Sequence, residues 1–428
     1  MNLPSQTAGK RSRADWIGIL PSHWDEVRLK HGLRLVTEKA SEDTFKVALE
    51  NIESWSGRYI ETETVFEGDG TAFQRGDLLF GKLRPYLAKA LLVDAPGQAV
   101  GDFHVLRPTA EVLGRFALYY VLSRDFIAVV DGSTYGAKMP RASWDFMANL
   151  PLPLPPPSEQ VAIATFLDHE TGKIDALVEE QRRLIELLKE KRQTIITRAV
   201  TKGLDPNAKM KPSGVEWLGD VPEHWKVRRL GTLFSEIAEP GNGDLPIFSV
   251  SIHHGVSDTE LDDEELDRKV SRSEDKSKYK RVQPHDLVYN MMRAWQGGFG
   301  SVQAVGMVSP AYVVARPKTE LSTVYIEALL RTPKAVEEMR RRSRGVTDFR
   351  LRLYWDEFKD MSVALPPPEE QNDITRVVAA ADAQAGALMS ESSVLVDLLQ
   401  EHRSALIAAA VTGKIDVREA TTDQEDAA

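Results

Sequence analysis

Four stretches of the chain hold side chains suited to chemistry, and in each the chemistry is that of gripping a polyanion. Gly81-Lys82-Leu83-Arg84-Pro85-Tyr86 follows an apolar run and sets two cations and an aromatic ring on a turn. Arg84 can form bidentate bonds with a guanine edge, while Lys82 and Tyr86 suit phosphate oxygens. A surface loop with ordinary cations is the structural alternative. The counterpart Met291-Met292-Arg293-Ala294-Trp295 shares only the arginine, and Met292 and Trp295 can instead belong to a core. Gly132 to Arg141 is polar, glycine-bracketed and basic. Its Ser133, Thr134, Tyr135, Lys138 and Arg141 offer hydroxyls and cations to phosphates and base edges. The matching stretch offers Arg344, Thr347, Arg350 and Arg352, and is two residues shorter before its tryptophan (Gly132 to Trp144 against Gly345 to Trp355). Arg340-Arg341-Arg342 runs directly into it. A cation run is ordinarily a solvated helix face, but this position makes Arg341 a candidate phosphate contact.

Bond-making chemistry is missing by contrast. Gly297-Gly298-Phe299-Gly300 lacks the full Gly-x-Gly-x-x-Gly spacing, and there is no Walker Gly-x-x-x-x-Gly-Lys-Ser/Thr. There is no Asn-Pro-Pro-Tyr or Asp-Pro-Pro-Tyr methyltransferase motif either. Glu274-Asp275-Lys276 mimics half a nuclease signature but sits in a charged stretch without flanking apolar strands. His253-His254, His23 and His224 form no ligand set; the last two each stand beside a tryptophan in a repeated motif, which points to packing. No catalytic residue and no metal site is assigned.

The 428 residues carry a net charge of −10, with 42% hydrophobic and 28% charged side chains. A chain of this length holds two to three domains with real cores. An acidic chain does not coat DNA nonspecifically, so any cations that read DNA must be concentrated locally or supplemented by a partner. The acidic stretch Asp258 to Asp267 is expected to face solvent. With no cysteine, disulfides and thiolate metal sites are excluded, which fits a reducing cytosol without requiring it. The opening residues lack a signal-peptide core and no run has the length of a membrane span, so a soluble, cytoplasmic protein is expected.

What positions the candidate residues is a repeat. Asp15-Trp16-Ile17-Gly18 with Pro21-Ser22-His23-Trp24 returns as Glu216-Trp217-Leu218-Gly219 with Pro222-Glu223-His224-Trp225. Asp77-Leu78-Leu79-Phe80 with Arg84 returns as Asp286-Leu287-Val288-Tyr289 with Arg293, and Val105-Leu106-Arg107-Pro108 as Val314-Ala315-Arg316-Pro317. Leu154-Pro155-Pro156-Pro157-Ser158-Glu159-Gln160 returns as Leu365-Pro366-Pro367-Pro368-Glu369-Glu370-Gln371. Order is kept while the spacing drifts from 201 (Trp16 to Trp217) to 211 (Glu159 to Glu370), as changes in loop length would cause.

Each unit opens with short apolar runs broken by Gly, Pro and Asp, with a helical stretch at Arg115 to Val130, and reads as a mixed α+β globule. The proline cluster ends the globule. A long helix follows, with Ser158 as its N-cap and Gly172 as a point where it can break into a short and a longer piece. Ile174, Leu177, Gln181, Leu184, Leu188, Lys191 and Ile195 step by three and four, a heptad seam. Shifted by 211 it becomes Ala385, Leu388, Ser392, Leu395, Leu399, His402 and Leu406. A narrow seam present twice pairs with itself as a coiled coil; packing of each helix on its own globule is the alternative.

Globule, proline cluster with Glu-Gln, long helix, then all of it again: the sequence resembles the specificity subunits of type I restriction–modification systems. The resemblance rests on Trp-x-Gly-x-x-Pro-x-His-Trp at both unit starts, the proline motifs, and Ala410-Val411-Thr412-Gly413-Lys414-Ile415-Asp416; Lys202-Gly203 inverts the last motif's Gly-Lys. It implies an α+β fold of two tandem target recognition domains separated by two long antiparallel coiled-coil helices, pseudo-twofold. The expected divisions are a tail at 1–14, a first recognition domain at 15–157, a central helix at 158–203 and a linker at 204–215. A second domain at 216–368, a C-terminal helix at 369–417 and an acidic tail at 418–428 complete them. It further implies a non-catalytic chain that reads a bipartite asymmetric double-stranded DNA target and docks two methyltransferase subunits. Motor–nuclease subunits would join for restriction, in a bacterial or archaeal cytoplasm. S-adenosylmethionine, ATP and Mg are expected on those partners and no cofactor on this chain. The rival from another class is a self-contained sequence-specific endonuclease.

Overall fold

The computed structural model describes residues 9–40, 44–63, 68, 70–134, 139–241, 245–252, 255–257, 278–345 and 351–418. Tyr135, Lys138, Thr347 and Arg350, the acidic stretch, Glu274 to Lys276 and His253-His254 lie outside them. The chain divides into two compact units, Met1–Arg182 with Ser393–Ala428, and Arg183–Ser392. The boundary falls inside both long helices.

In the first unit an antiparallel sheet orders its strands Leu33–Val36, Phe103–Pro108, Leu78–Gly81 and Ala90–Leu92. Strand alternation sorts the side chains between two cores. Leu78, Phe80 and Leu106 enter the main core with Phe116, Tyr120 and Phe126. Leu79, Val105 and Leu91 enter a smaller one with Val47, Phe73 and Phe103, under a three-stranded sheet of Lys46–Val47, Gly97–Ala99 and Thr71–Phe73. The expected helix Arg115 to Val130 is two, Gly114–Val121 and Arg124–Gly132, broken where the Ser123 hydroxyl donates to the Tyr120 carbonyl at 2.7 Å.

The second unit repeats this frame: Phe234–Ile237, Tyr312–Pro317, Leu287–Asn290 and Phe299–Ser301 form the sheet, and Thr323–Leu330 and Pro333–Arg342 the helices. Again the strands split, Leu287 and Tyr289 to the main core, Val288 and Val314 to the small one. In both frames a buried aspartate at the start of a strand binds an arginine bidentately. Arg107 holds Asp77 at 2.8 and 2.9 Å, and Arg316 holds Asp286 at 2.9 and 3.0 Å. Gly9–Arg11, assigned above to the tail, pairs with Ile19–Pro21, and Met210–Pro212, assigned to the linker, pairs with Asp220–Pro222.

The long helices are Pro157–Lys202 and Pro368–Val411. The first begins at Pro157, one residue before the expected cap, because proline's missing amide costs nothing in a first turn, and it runs unbroken through Gly172. Within the first unit Ile163, Phe166 and Leu167 share the core with Ile407, Ala410 and Val411, and further along Arg403 meets Asp175 at 2.9 Å. The two half-helices therefore run antiparallel. Within the second unit Ile196, Ala199 and Val200 join Ile374 and Val378, and Arg192 meets Asp382 at 2.5 Å.

The seam needs a correction. Ile174, Gln181, Leu188, Ala385, Ser392, Leu399 and Leu406 are buried or partly so, as expected. Leu177, Leu184, Ile195, Leu388 and Leu395 are exposed, as are Lys191 and His402. Their C-terminal neighbours Val178, Ile185, Ile196, Met389, Val396, Arg192 and Arg403 take the inward places. The inward stripe steps four then three where three then four was expected.

Candidate nucleic-acid interface

The proline motif fixes where each globule meets its helix. Glu159, in the first helical turn, accepts from Trp24 Nε1 at 2.6 Å and meets His23 Nε2 at 2.7 Å. Glu370 does the same with Trp225 at 3.1 Å and His224 at 2.7 Å. Gln160 Oε1 accepts from the Leu113 amide and Gln371 Oε1 from the Ser322 amide. His23 and His224 are thus structural, as their setting beside tryptophan suggested.

On this frame the structure brings the two candidate stretches of the first globule together. The Ala142 amide donates to the Lys82 carbonyl at 2.9 Å, the Arg84 amide to the Pro140 carbonyl at 2.9 Å, and Leu83 bridges Arg141. The second globule repeats the join, the Leu353 amide donating to the Met291 carbonyl at 2.9 Å. Lys82, Arg84 and Arg141 therefore lie on two adjoining, hydrogen-bonded backbone segments, and Arg293 and Arg352 flank the equivalent place.

The side chains differ in how free they are. Arg84 sits at φ +52°, in the left-handed region, with its guanidinium exposed and without a partner among the described residues. Tyr86 beside it is 46% exposed. Arg141 is bound by Asp102 at 2.9 Å. The Ser133 and Thr134 hydroxyls both donate at 2.7 Å to carbonyls of the last helical turn, Val130 and Asp131, so they cap the helix. In the second globule Arg293 donates to Gln296 at 3.0 Å, its one side-chain partner among the described residues. Arg344 pairs with Glu357, and Arg341 with Glu338 and Glu216. Arg342 also reaches Glu338, at 2.5 Å, and Arg340 lies over the Trp295 ring. The arginine run is thus largely neutralised by carboxylates that the sequence places far away or one turn back on the same helix face.

One residue that sequence reasoning passed over supports the first join. His104, buried in the strand beside Leu78–Gly81, donates Nε2–H to the Ala142 carbonyl at 3.1 Å and lies 5.9 Å from the Trp144 ring. Burial pushes its pKa down to about 4, and the Lys82 charge adds to this, so the ring is neutral near pH 7. The equivalent in the second globule is Val313. Nothing in a lone histidine within an apolar strand signals this role.

Among the described residues no group of His, Asp and Glu is arranged to hold a metal ion, and no helix is long and apolar enough to cross a membrane.

No protein-family model matches the chain. It is similar to the type I restriction enzyme EcoDI specificity subunit of Escherichia coli, at 21% identity over 198 residues, 44% of each chain. The EcoBI specificity subunit of the same organism matches at 24% over 313 residues, 69% of this chain and 65% of that one. A putative type I restriction enzyme MjaX specificity subunit of Methanocaldococcus jannaschii matches at 23% over 237 residues, 50% and 53% of the two chains. The chain thus spans from under half to just under two thirds of these relatives' length. Among solved structures, a chain from a study of complex assembly and conformational transition of the type I R-M system superposes with a TM-score of 0.69 at 19% identity. That match covers 92% of this chain and 99% of the other. The HsdS subunit from Thermoanaerobacter tengcongensis superposes at 0.51, also at 19% identity, over 92% and 98%. The sequence relatives of this chain are specificity subunits of type I restriction enzymes, and its fold is that of a solved HsdS subunit.

Proposed function

We propose that this chain is a non-catalytic reader of a bipartite, asymmetric DNA duplex, each globule reading one half, within a type I methyltransferase and restriction complex. One observation carries the reading. The same backbone join, Ala142 to Lys82 and Leu353 to Met291, occurs in both globules, while the side chains mounted on it differ. A shared frame with divergent surfaces is what two different half-sites require.

Two methyltransferase subunits would dock on the helices. Leu177, Leu395 and Leu398 lie exposed in the first unit, and Leu388, Leu184 and Leu187, each 211 residues away from its counterpart, in the second. Recurring exposed leucines mark a protein-binding surface, and two copies of the stripe suit two copies of one partner. S-adenosylmethionine, ATP and Mg would then belong to the methyltransferase and motor–nuclease subunits.

The test is methylome sequencing of a host with and without the gene, together with its methyltransferase partner. A gene-dependent N6-methyladenine motif of two specific halves around a nonspecific spacer is expected. DNA cleavage by the purified chain alone with Mg²⁺ would favour the endonuclease rival and overturn the proposal.

A further inference from the structure

Arginine recurs at several equivalent places in the two repeats, and two kinds of recurrence can be compared. Arg107 and Arg316 recur because the fold needs them: each is held bidentately by a buried aspartate of its own sheet. Arg192 and Arg403 likewise recur as partners of Asp382 and Asp175. Arg84 and Arg293 recur without such a reason. Both are exposed, both follow the strand whose end carries the join, and both immediately precede a single 3₁₀ turn, Pro85–Leu87 or Ala294–Gln296. Arg84 has no side-chain partner among the described residues, and Arg293 has one there, its neighbour Gln296.

Arg84 is also held at a cost. A side chain with a Cβ is disfavoured in the left-handed region, where glycine is the ordinary occupant. The backbone is fixed there by the bond from the Arg84 amide to Pro140 and by the turn closing from the Leu87 amide onto the Arg84 carbonyl at 2.9 Å. A strained, exposed arginine with no side-chain partner among the described residues suits a ligand outside the chain.

The repeat also says what kind of ligand. Two globules that read different bases cannot tell them apart with the same residue at the same place. What both half-sites share is the sugar–phosphate backbone and the adenine to be methylated; adenine's edge suits Asn or Gln, whereas a guanidinium suits the anionic backbone. Resting on the DNA-reading function above, we propose that Arg84 and Arg293 are sequence-independent anchors. Each would donate its guanidinium to phosphate oxygens at its own half-site, leaving base discrimination to the surfaces that differ. This reverses the guanine contact first suggested for Arg84.

The test uses the full chain with its methyltransferase partner and two fluorescein-labelled duplexes, one with the motif mapped by methylome sequencing and one with the same bases shuffled. Binding is measured by anisotropy across a salt series. Arg84→Ala and Arg293→Ala should each weaken both duplexes by the same factor and lower the slope of log affinity against log salt by about one. Arg84→Lys should keep the slope, because it keeps the charge. The methylated motif should be unchanged in every variant, and thermal unfolding should match the parent. A relaxed or altered base in one half-site, or unchanged affinity and slope, would overturn the anchor assignment. Failure of the parent complex to prefer the motif duplex would instead sink the DNA-reading function, and the anchors with it.

Discussion

His104 holds the carbonyl of Ala142 through its ring Nε2–H at 3.1 Å, so a buried neutral imidazole secures the segment that carries Arg141. The folded pKa, about 4, lies below the ordinary value of 6.5. Between those values the unfolded chain binds a proton that the folded chain does not. The stabilisation is complete above pH 6.5 and is lost as pH falls toward 4. His104→Gln keeps an amide donor and removes the titration. Relative to that variant, the parent should lose about 2 kcal/mol on going from pH 7.5 to pH 5. Urea unfolding at the two pH values measures it, and identical pH dependence in both proteins would exclude the linkage.

Tyr289 stands where the first globule has Phe80, packed against Phe299 and Phe358 with ring centroids 5.0 and 4.8 Å away. Its hydroxyl is buried without a partner among the described residues. A buried hydroxyl that has left water and bonds nothing costs free energy. Tyr289→Phe should therefore stabilise the protein by about 1 kcal/mol, and Phe80→Tyr should destabilise it. Thermal unfolding of both variants decides, and a loss of stability in Tyr289→Phe would show that the hydroxyl is bonded after all.

The repeat, the proline boundary and the long helices were legible because each rests on local patterns: motif recurrence, missing amides, apolar periodicity. The seam was legible only in part. Leu177-Val178, Leu184-Ile185, Leu187-Leu188 and Ile195-Ile196 are consecutive apolar pairs, so steps of three and of four are both available. Packing inside each unit selects one. The candidate cations were legible as residues but not as free charges. Glu216 stands 125 residues from Arg341, and Asp102 stands 39 from Arg141, separations at which a sequence carries no signal of contact.

Arg192 and Arg403 occupy equivalent positions yet should differ in weight. Arg403 and Asp175 are 11% and 21% exposed, and Arg403 also donates to the Trp55 carbonyl at 2.9 Å. Arg192 and Asp382 are 37% and 43% exposed, where water screens the pair. Arg403→Ala should cost about 2 kcal/mol, since it strands the Trp55 carbonyl and leaves a half-buried carboxylate only the Arg58 guanidinium 3.9 Å away, and Arg192→Ala under about 1 kcal/mol. Denaturant titration gives both numbers, and equal costs would contradict this account of burial.

The two apolar stripes of the long helices can be told apart by substitution. Val178 and Ile185 lie on the inward stripe, and Leu177 and Leu184 on the outward one. Truncating a buried aliphatic loses its transfer free energy and leaves a cavity, so Val178→Ala and Ile185→Ala should cost about 1–4 kcal/mol. Leu177→Gln and Leu395→Gln change groups already in water, 45% and 42% exposed, and should shift stability by less than about 0.5 kcal/mol. If the outward stripe is the methyltransferase surface, the same glutamines should reduce co-purification of that partner, while Val178→Ala at a permissive temperature should not. Thermal unfolding and pull-down of the four variants separate the stripes. Large destabilisation by Leu177→Gln would restore the three-then-four seam. Intact co-purification in the Leu177→Gln, Leu395→Gln double variant would move the docking surface elsewhere on the chain.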